Sequence, residues 1–183
     1  YAYIDLGLSV MWATCNVGAQ SPEYHGDYFA WGETQRYKTN FTKKSYKWFP
    51  ISEDYYPYPT KYTYGDNKDE ADYRTVLELS DDAANMNWGG NWRMPRYEDF
   101  VELAQEGTWY RTTSNGVSGY RVYGPIGNSI FLPYSDYHYW SSTSSEWNQP
   151  YDAAMILRLE NGLIGYNYHA YRSSQRHIRP VTN

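Results

Sequence analysis

A nine-residue motif at positions 87–95 constrains the fold more than any other part of the sequence. It reads NWGGNWRMP, so that two tryptophans enclose a Gly-Gly pair. Glycine permits a tight backbone turn, and each tryptophan offers a large apolar surface to bury. The motif therefore predicts a sharp turn with a large buried ring on either side. A buried Arg93 would need a carboxylate partner, and we expect Asp27 or Glu33 in that role.

The segment that follows, residues 96–106, has the clearest helical pattern in the chain. Its apolar residues recur three and four positions apart, which places them on one helical face: Tyr97, Phe100, Val101 and Ala104. Pro95 favours the start of a helix, and Gly107 favours its end. A second, shorter helix is predicted around residues 81–84, with the hydroxyl of Ser80 as its N-terminal cap.

Short strand-like runs separated by turn residues make up most of the remaining sequence. Two short strand-like runs around Gly7, within residues 1–17, predict an N-terminal strand, and a last strand is predicted within 177–181. After the long helix, two groups of antiparallel strands are predicted, at 108–113, 119–123 and 129–132, and at 139–143, 155–159 and 163–168. Residues 35–75 lack periodicity, which indicates a long irregular insertion. This order predicts an α+β fold in a single domain over residues 1–183.

The composition is rich in tyrosine, with 23 Tyr and 8 Trp in 183 residues, although the mean hydropathy is only -0.83. A net charge of -5 disfavours nucleic acid, which requires a basic surface, and also anionic membrane surfaces. Cys15 is the only cysteine, so the sequence excludes an internal disulfide, and we expect no metal ion or cofactor. No apolar run is long enough to predict a membrane span. The chain begins at Tyr1 rather than Met, which suggests a processed or excised fragment.

Eight short motifs occur in one order along the chain: DLGLSV at 5–10, WATCNVGA at 12–19, GDYFAWGET at 26–34, DDAA at 81–84, NWGGNWRMP at 87–95, NSIFLP at 128–133, YWSS at 139–142 and RPV at 179–181. Together they resemble the major paralogous domain (FISUMP-type) family of bacterial secreted and surface proteins. The resemblance implies a C-type-lectin-like fold, in which twisted antiparallel strands carry two helices and the N- and C-terminal strands pair. It also implies ligand binding at the cell surface or outside the cell, often at adhesin tips.

Some similar proteins are variable targets of diversity-generating retroelements, and their ligand-contacting positions lie on C-terminal strands and loops. The corresponding segments here are residues 144–152 and 166–174. Three departures from the family pattern matter. The loop between Pro133 and Trp140 is shorter than is usual in the family, so a pocket built from that loop is not expected. Arg96 replaces the small polar residue that usually caps the long helix. The calcium-dependent sugar motifs Glu-Pro-Asn and Gln-Pro-Asp are absent, because Tyr151 interrupts the run Gln-Pro-Tyr-Asp at 149–152, so calcium-dependent sugar binding is not expected.

The predicted ligand-binding residues are the aromatic and polar side chains of these two C-terminal segments: Glu146, Trp147, Asn148, Tyr151, Asp152, Tyr166, Asn167, Tyr168, His169, Tyr171, Arg172 and Ser173. We expect them to form one exposed face, on which rings stack against a sugar or anchor a protein while polar groups supply directional hydrogen bonds. Tyr, Ser, Asn and Arg are also residues that antibody binding sites favour. The alternative interpretation is that these are ordinary strand-edge tyrosines.

An enzyme is not expected, because no combination of residues has the spacing of a catalytic site. Ser141 and Ser142 lie close to His138 in sequence, but a Gly-x-Ser-x-Gly motif is absent, and the four histidines lack metal-binding spacing. Together with what the family resemblance implies, this predicts a monomeric, non-catalytic, adhesin-like domain of a secreted or surface-anchored bacterial protein. It is expected to bind a protein or carbohydrate ligand and not to insert into a membrane itself. The alternative is a structural or assembly module of a pilus or cell-surface complex.

Overall fold

A computed structural model describes residues 1–37, 45–49, 59–64, 71–145, 152–160 and 162–183. These residues form an α+β structure with three small antiparallel sheets and two helices, which confirms the predicted class. The strands are β1 Tyr3–Ile4, β2 Met11–Ala13, β3 Thr108–Ser114, β4 Val117–Tyr123, β5 Ser129–Pro133, β6 Tyr139–Ser144, β7 Ala153–Glu160, β8 Leu163–Tyr171 and β9 Val181–Thr182. The helices are α1 Ala83–Trp88 and α2 Tyr97–Glu106, and a 3-10 turn at Leu79–Asp81 precedes α1.

The first sheet brings the N- and C-terminal strands together in the order β1-β2-β9. Trp12 of β2 lies opposite Ile4 of β1 and opposite Val181 of β9. Val181 also exchanges both backbone hydrogen bonds with Arg93, at 2.9 and 3.0 Å, which attaches the Trp-Gly-Gly motif to the sheet. The expected pairing of the terminal strands is confirmed. The two strand-like runs around Gly7 correspond to two separate strands, β1 and β2, rather than to one N-terminal strand, because Gly7 adopts a φ of 78° and the chain turns between them.

The Gly-Gly turn of the motif has the expected sharp geometry. Gly89 and Gly90 have φ angles of 71° and 58°, in the left-handed region that glycine adopts without strain. The Asn85 side chain donates from Nδ2 to the carbonyls of Gly90 and Trp92, at 3.1 and 2.8 Å. Trp88 meets Trp92 edge to face, with ring centres 5.0 Å apart, and both rings are half-buried.

Helix α1 is capped by Asp82 rather than by Ser80. The Asp82 carboxylate accepts the N–H of Asn85 at 3.0 Å and the N–H of Met94 at 2.8 Å. The prediction for Ser80 is wrong because that residue lies in the 3-10 turn, two positions before the cap of α1. Burial raises the pKa of Asp82 to about 6, although the backbone donors that it accepts act in the opposite direction.

Two hydrogen bonds replace the missing side-chain cap of α2 at Arg96. The carboxylate of Asp99 accepts the backbone N–H of Arg96 at 2.7 Å. The hydroxyl of Thr143 in β6 accepts the N–H of Tyr97 at 3.0 Å. The first turn of α2 is therefore tied both to its own third residue and to a strand of another sheet.

The carboxylate partner of Arg93 is Asp99, not Asp27 or Glu33. Nη1 of Arg93 lies 2.7 Å from Oδ2 of Asp99 and 3.0 Å from the carbonyl oxygen of Met94. Asp99 lies in the first turn of α2, where negative charge is also favoured by the helix dipole. A residue six positions ahead in the sequence thus provides the charge that more distant acids were expected to provide.

Two core clusters join the sheets to the helices. The first contains residues from α2, all three sheets and the N-terminal segment: Leu6, Val10, Trp12, Phe100, Leu103, Tyr120, Val122, Ile130, Leu132, Tyr139, Leu157, Leu159 and Val181. The second contains residues before and around α1 and from the third sheet, including Trp31, Tyr62, Ala84, Met94, Trp140, Ala154 and Ile156. Strand β7 contributes to both clusters, so it is buried on both faces.

The other two sheets have the orders β3-β4-β5 and β6-β7-β8. Their strands confirm the six predicted after the long helix, with boundaries that differ by up to three residues. Strands β3 and β8 each have one neighbouring strand in the described part of the chain. The β7–β8 register shifts between Ile156 and Arg158, which changes the side of the sheet that later residues of β8 face.

Candidate functional site

The twelve residues predicted to bind a ligand fall into four groups. Outside the described residues lie Glu146, Trp147, Asn148 and Tyr151. The exposed ones are Asn167, Tyr168, His169 and Tyr171. Tyr166 and Ser173 are half-buried, and Asp152 and Arg172 are buried. Of the eight residues that the structure describes, only the exposed group, all of it on β8, is positioned for contact with a large ligand.

Strand alternation divides the exposed residues of β8 between the two sides of the sheet. Residues opposite each other on paired strands point to the same side. Tyr168 lies opposite Ile156, which belongs to the second core cluster, whereas Tyr171 lies opposite Ala153. His169 shares the side of Tyr171. The expectation of one continuous face is therefore wrong for these residues, and β8 presents a separate surface on each side.

Tyr168 has a fixed position on its side of the sheet. A Cβ atom at Gly165 would lie 2.2 Å from the Tyr168 ring, so the ring covers the space that this glycine leaves. The guanidinium of Arg158 lies 4.7 Å from the ring centre, and Nε of Arg158 donates to Glu160 at 2.7 Å. Tyr168 remains 37% exposed and forms a braced aromatic surface.

Arg172 and Asp152 do not belong to an exposed surface, which corrects the prediction for both. Nε of Arg172 donates to the carbonyl of Ala153 and Nη1 to that of Tyr62, both at 2.9 Å. Its guanidinium also lies 4.6 Å from the ring centre of Trp31, and burial lowers its pKa. The backbone of Arg172 donates to the Asp152 carbonyl at 2.7 Å, which continues the β7–β8 ladder and turns the side chain inward.

The described chain also has an open groove on the hairpin of β3 and β4, with a volume of about 550 Å³. We call it the hairpin groove. Its lining residues are Thr108, Tyr110, Thr112, Thr113, Arg121 and Tyr123. This groove lies outside the residues that the sequence predicted for ligand binding. The available signal was the period-two pattern Thr-x-Tyr-x-Thr over residues 108–112, followed by Arg-x-Tyr over 121–123.

The register of β3 and β4 explains why all of these side chains except that of Thr113 share one side. Tyr110 lies opposite Arg121, and Thr108 lies opposite Tyr123, so all four point away from the core. On the other side of the hairpin, Val122 belongs to the first core cluster and Trp109 packs against it, whereas Arg111 is exposed. The Tyr110 and Tyr123 rings meet edge to face with centres 5.8 Å apart, and they are 56% and 40% exposed.

Arg121 is a positively charged side chain in this groove. Its guanidinium lies 5.5 Å from the ring centre of Phe131. Among the described residues, no carboxylate lies within salt-bridge distance of it. Glu23 is held by hydrogen bonds from the Ser114 hydroxyl and from Nδ2 of Asn115, at 2.6 and 3.1 Å. The Ser114 bond chiefly, with a smaller contribution from the charge of Arg121, lowers the pKa of Glu23.

Comparison of the chain with protein-family models, with curated proteins and with solved structures finds no match. The resemblance to the major paralogous domain family therefore stays a prediction from the sequence motifs.

The side chains considered for catalysis have structural partners instead. The hydroxyl of Ser141 is buried and donates to the carbonyl of Met155 at 2.8 Å. Nδ1 of His138 accepts the N–H of Leu159 at 3.3 Å. Within the described ranges, His, Cys, Asp and Glu side chains form no group of three or more that could hold a metal ion. Neither described helix has the length and apolar character needed to cross a membrane.

Proposed function

We propose that this chain is a non-catalytic, adhesin-like domain that binds a protein or glycan ligand through exposed tyrosines. One observation carries the proposal: large tyrosine side chains stand exposed on ordered strands of two sheets, outside either core cluster. They are Tyr110, Tyr123, Tyr168 and Tyr171. Such exposure of aromatic area is typical of recognition surfaces, where tyrosine provides wide contact and loses little conformational entropy.

The strands beneath these rings are well suited to hold a binding surface in place. Strand β4 is anchored by Tyr120 and Val122 in the first core cluster, and β8 pairs with β7, which is buried on both faces. A ligand-binding surface on such strands needs little reorganisation when the ligand arrives. This supports recognition over a role that requires large movement.

The same proposal includes a C-type-lectin-like fold of the major paralogous domain family, at the cell surface or outside the cell of a bacterium. It is supported by the order of the sequence motifs, by the pairing of terminal strands in the first sheet and by the presence of two helices. Diversification by a retroelement is also part of the proposal. Its support is that Asn167, Tyr168 and His169 are exposed and adjacent in the sequence, as diversified contact positions would be. A reverse transcriptase and template repeat beside the gene would test it.

The deciding experiment is a binding screen of the purified domain against arrays of glycans and cell-surface proteins. We expect at least one reproducible ligand. Each candidate ligand is then tested with Tyr168→Ala, Tyr171→Ala and Tyr110→Ala, which report on the two sides of β8 and on the hairpin groove separately. Loss of binding in one variant, at an unchanged melting temperature, supports recognition and locates the surface. No ligand in a screen of wide coverage would refute the proposal.

A structural or assembly module is the second candidate, because β3 and β8 each have one neighbouring strand among the described residues. An edge strand presents backbone groups that can pair with a strand of another molecule. This role predicts self-association that rises with concentration in sedimentation experiments. The ligand-binding role predicts a monomer at all concentrations, so the same measurement distinguishes the two.

A further inference from the structure

We propose that the hairpin groove binds a carboxylate-bearing oligosaccharide, with Arg121 holding the carboxylate and Tyr110 and Tyr123 packing against the sugar rings. This inference rests on the proposed function, for which it names the ligand class and one binding site. The site lies on β3 and β4, away from the C-terminal residues that the sequence indicated.

The position of Arg121 provides the main reason for an acidic ligand. A guanidinium presents a planar set of donors that matches a carboxylate, and it recognises one through two parallel hydrogen bonds. In the described part of the chain Arg121 has no such partner, although the groove is open to solvent beside it. The whole chain carries a net charge of -5, which repels an acidic ligand, whereas the positive charge of Arg121 attracts it at the groove. A carboxylate on the ligand is therefore directed to this position.

The two tyrosines provide the reason for a sugar. Their rings are nearly perpendicular, with an interplanar angle of 84°, so the pair presents a ring face and a ring edge together. A pyranose ring has an apolar C–H face that packs on an aromatic face, while its hydroxyls seek donors and acceptors around the rim. Tyr110 lies directly opposite Arg121 on the neighbouring strand, which places the aromatic contact beside the charge.

The threonines complete the polar lining of the groove. Thr108 and Thr112 flank Tyr110 on the same side of β3, because they lie two positions before and after it. Neither hydroxyl makes a side-chain hydrogen bond to another described residue, and each can donate one and accept two. The volume of about 550 Å³ falls within the range of small-ligand sites, which suits an oligosaccharide of a few units.

The experiment is isothermal titration calorimetry of the whole domain with three probes: 3′-sialyllactose, trigalacturonate and lactose. The first two carry carboxylates from different kinds of sugar, and the third is neutral. We expect at least one acidic probe to bind at least tenfold more tightly than lactose. A preference between the two acidic probes identifies the kind of acidic sugar. Equal or stronger binding of lactose, or binding of neither acidic probe, overturns the inference.

Variants of the groove test which residues bind the probe. Arg121→Gln is expected to weaken binding of the acidic probe at least tenfold, and Arg121→Lys to restore it only in part, because lysine lacks the planar fork. Tyr110→Ala is expected to weaken binding of both acidic and neutral sugars. Tyr73→Ala removes an exposed tyrosine that packs against Tyr64 and does not line the groove, and it is expected to have no effect. Unchanged binding in Arg121→Gln overturns the inference.

Two further measurements keep the result interpretable. Melting temperatures of the variants show whether each one folds, and NMR spectra of the wild-type domain show whether the probe shifts signals of Thr108, Thr112 and the groove tyrosines. Shifts confined to β8 overturn the inference without any variant. A ligand found in the broad screen whose binding depends on Tyr168 or Tyr171 alone overturns this site and leaves the proposed function standing. Failure of the whole screen overturns both.

Discussion

Replacing the buried arginine Arg179 by methionine is expected to destabilise the domain strongly. Its guanidinium is fully buried and makes four hydrogen bonds with an uncharged side chain and backbone carbonyls. Nε donates to Oδ1 of Asn16 at 2.7 Å, Nη2 donates to the Phe131 carbonyl at 3.0 Å, and Nη1 donates to the carbonyls of Ala13 and Thr14 at 3.2 and 3.0 Å. Arg179 thereby joins the end of β2 to β5 of another sheet.

The magnitude follows from what methionine leaves behind. Ala13 and Phe131 are buried, so their carbonyls lose a charged donor where water has poor access, at about 1–3 kcal/mol each. The Asn16 amide is also buried and loses its strongest partner. Arg179→Met no longer buries a charged guanidinium, and the free energy that this burial costs the wild type offsets part of the loss. We expect a net loss of about 4 kcal/mol in the free energy of unfolding, or about 10 °C in melting temperature for a domain of this size.

Thermal and urea unfolding followed by circular dichroism measure this effect. Arg158→Met is the matched control, because its side chain is 33% exposed and its ion pair with Glu160 is expected to contribute under about 1 kcal/mol. Arg179→Lys is expected to fall between wild type and Arg179→Met, since an ammonium cannot reach all four acceptors. A melting temperature for Arg179→Met within 2 °C of that for Arg158→Met would refute the reasoning.

Three further predictions concern pH and helix capping. The folded-state pKa of Asp82, about 6, lies above its ordinary 3.8, so its contribution to stability is lost as the pH rises through about 6. The free energy of unfolding of Asp82→Asn, measured in urea, should therefore rise by about 3 kcal/mol relative to that of wild type as the pH goes from about 4 to about 7. A difference between the two proteins that stays constant over this range contradicts the prediction. Burial of His177 lowers its pKa to about 3, so its ring should stay neutral in NMR titrations down to about pH 4. Acid should destabilise the fold, because His177 binds a proton in the unfolded state at a pH where the buried ring does not. Thr143→Val removes the acceptor for the Tyr97 N–H and should cost about 1 kcal/mol, whereas Thr112→Val, at the surface, should change stability little.

Local signals in the sequence predicted the hairpins and the long helix well. The turn before β4 contains Asn115 and Gly116 at φ angles of 48° and 79°, values that this residue pair adopts readily. Gly107 ends α2 where expected, because a Cβ there would lie 2.4 Å from the Leu103 carbonyl oxygen. These features depend on residues close together in the chain, so a single sequence is sufficient to identify them.

The errors concern contacts between distant residues. Ser80 was a reasonable cap by spacing, but Asp82 is favoured because it also accepts the N–H of Met94, on the far side of the Gly-Gly turn. Arg172 belongs to the polar run of β8 by composition, yet two carbonyls and a tryptophan ring hold it in the interior. The division of β8 into two surfaces depends on strand pairing and on a register shift that no pattern in the sequence indicates. The hairpin groove was missed because ordinary strand alternation of threonine and tyrosine does not distinguish a ligand site from a solvated face.

The bond between Arg179 and Asn16 spans 163 positions in the chain and has a consequence for the order of folding. Closing so long a loop costs entropy before any contact can repay it, whereas the β3–β4 hairpin closes over a two-residue turn. We therefore expect the hairpins to form early and the terminal sheet to join them after the rate-limiting barrier. Arg179→Met should then accelerate unfolding and leave the refolding rate nearly unchanged, because the hydrogen bonds of this arginine form after the transition state for folding.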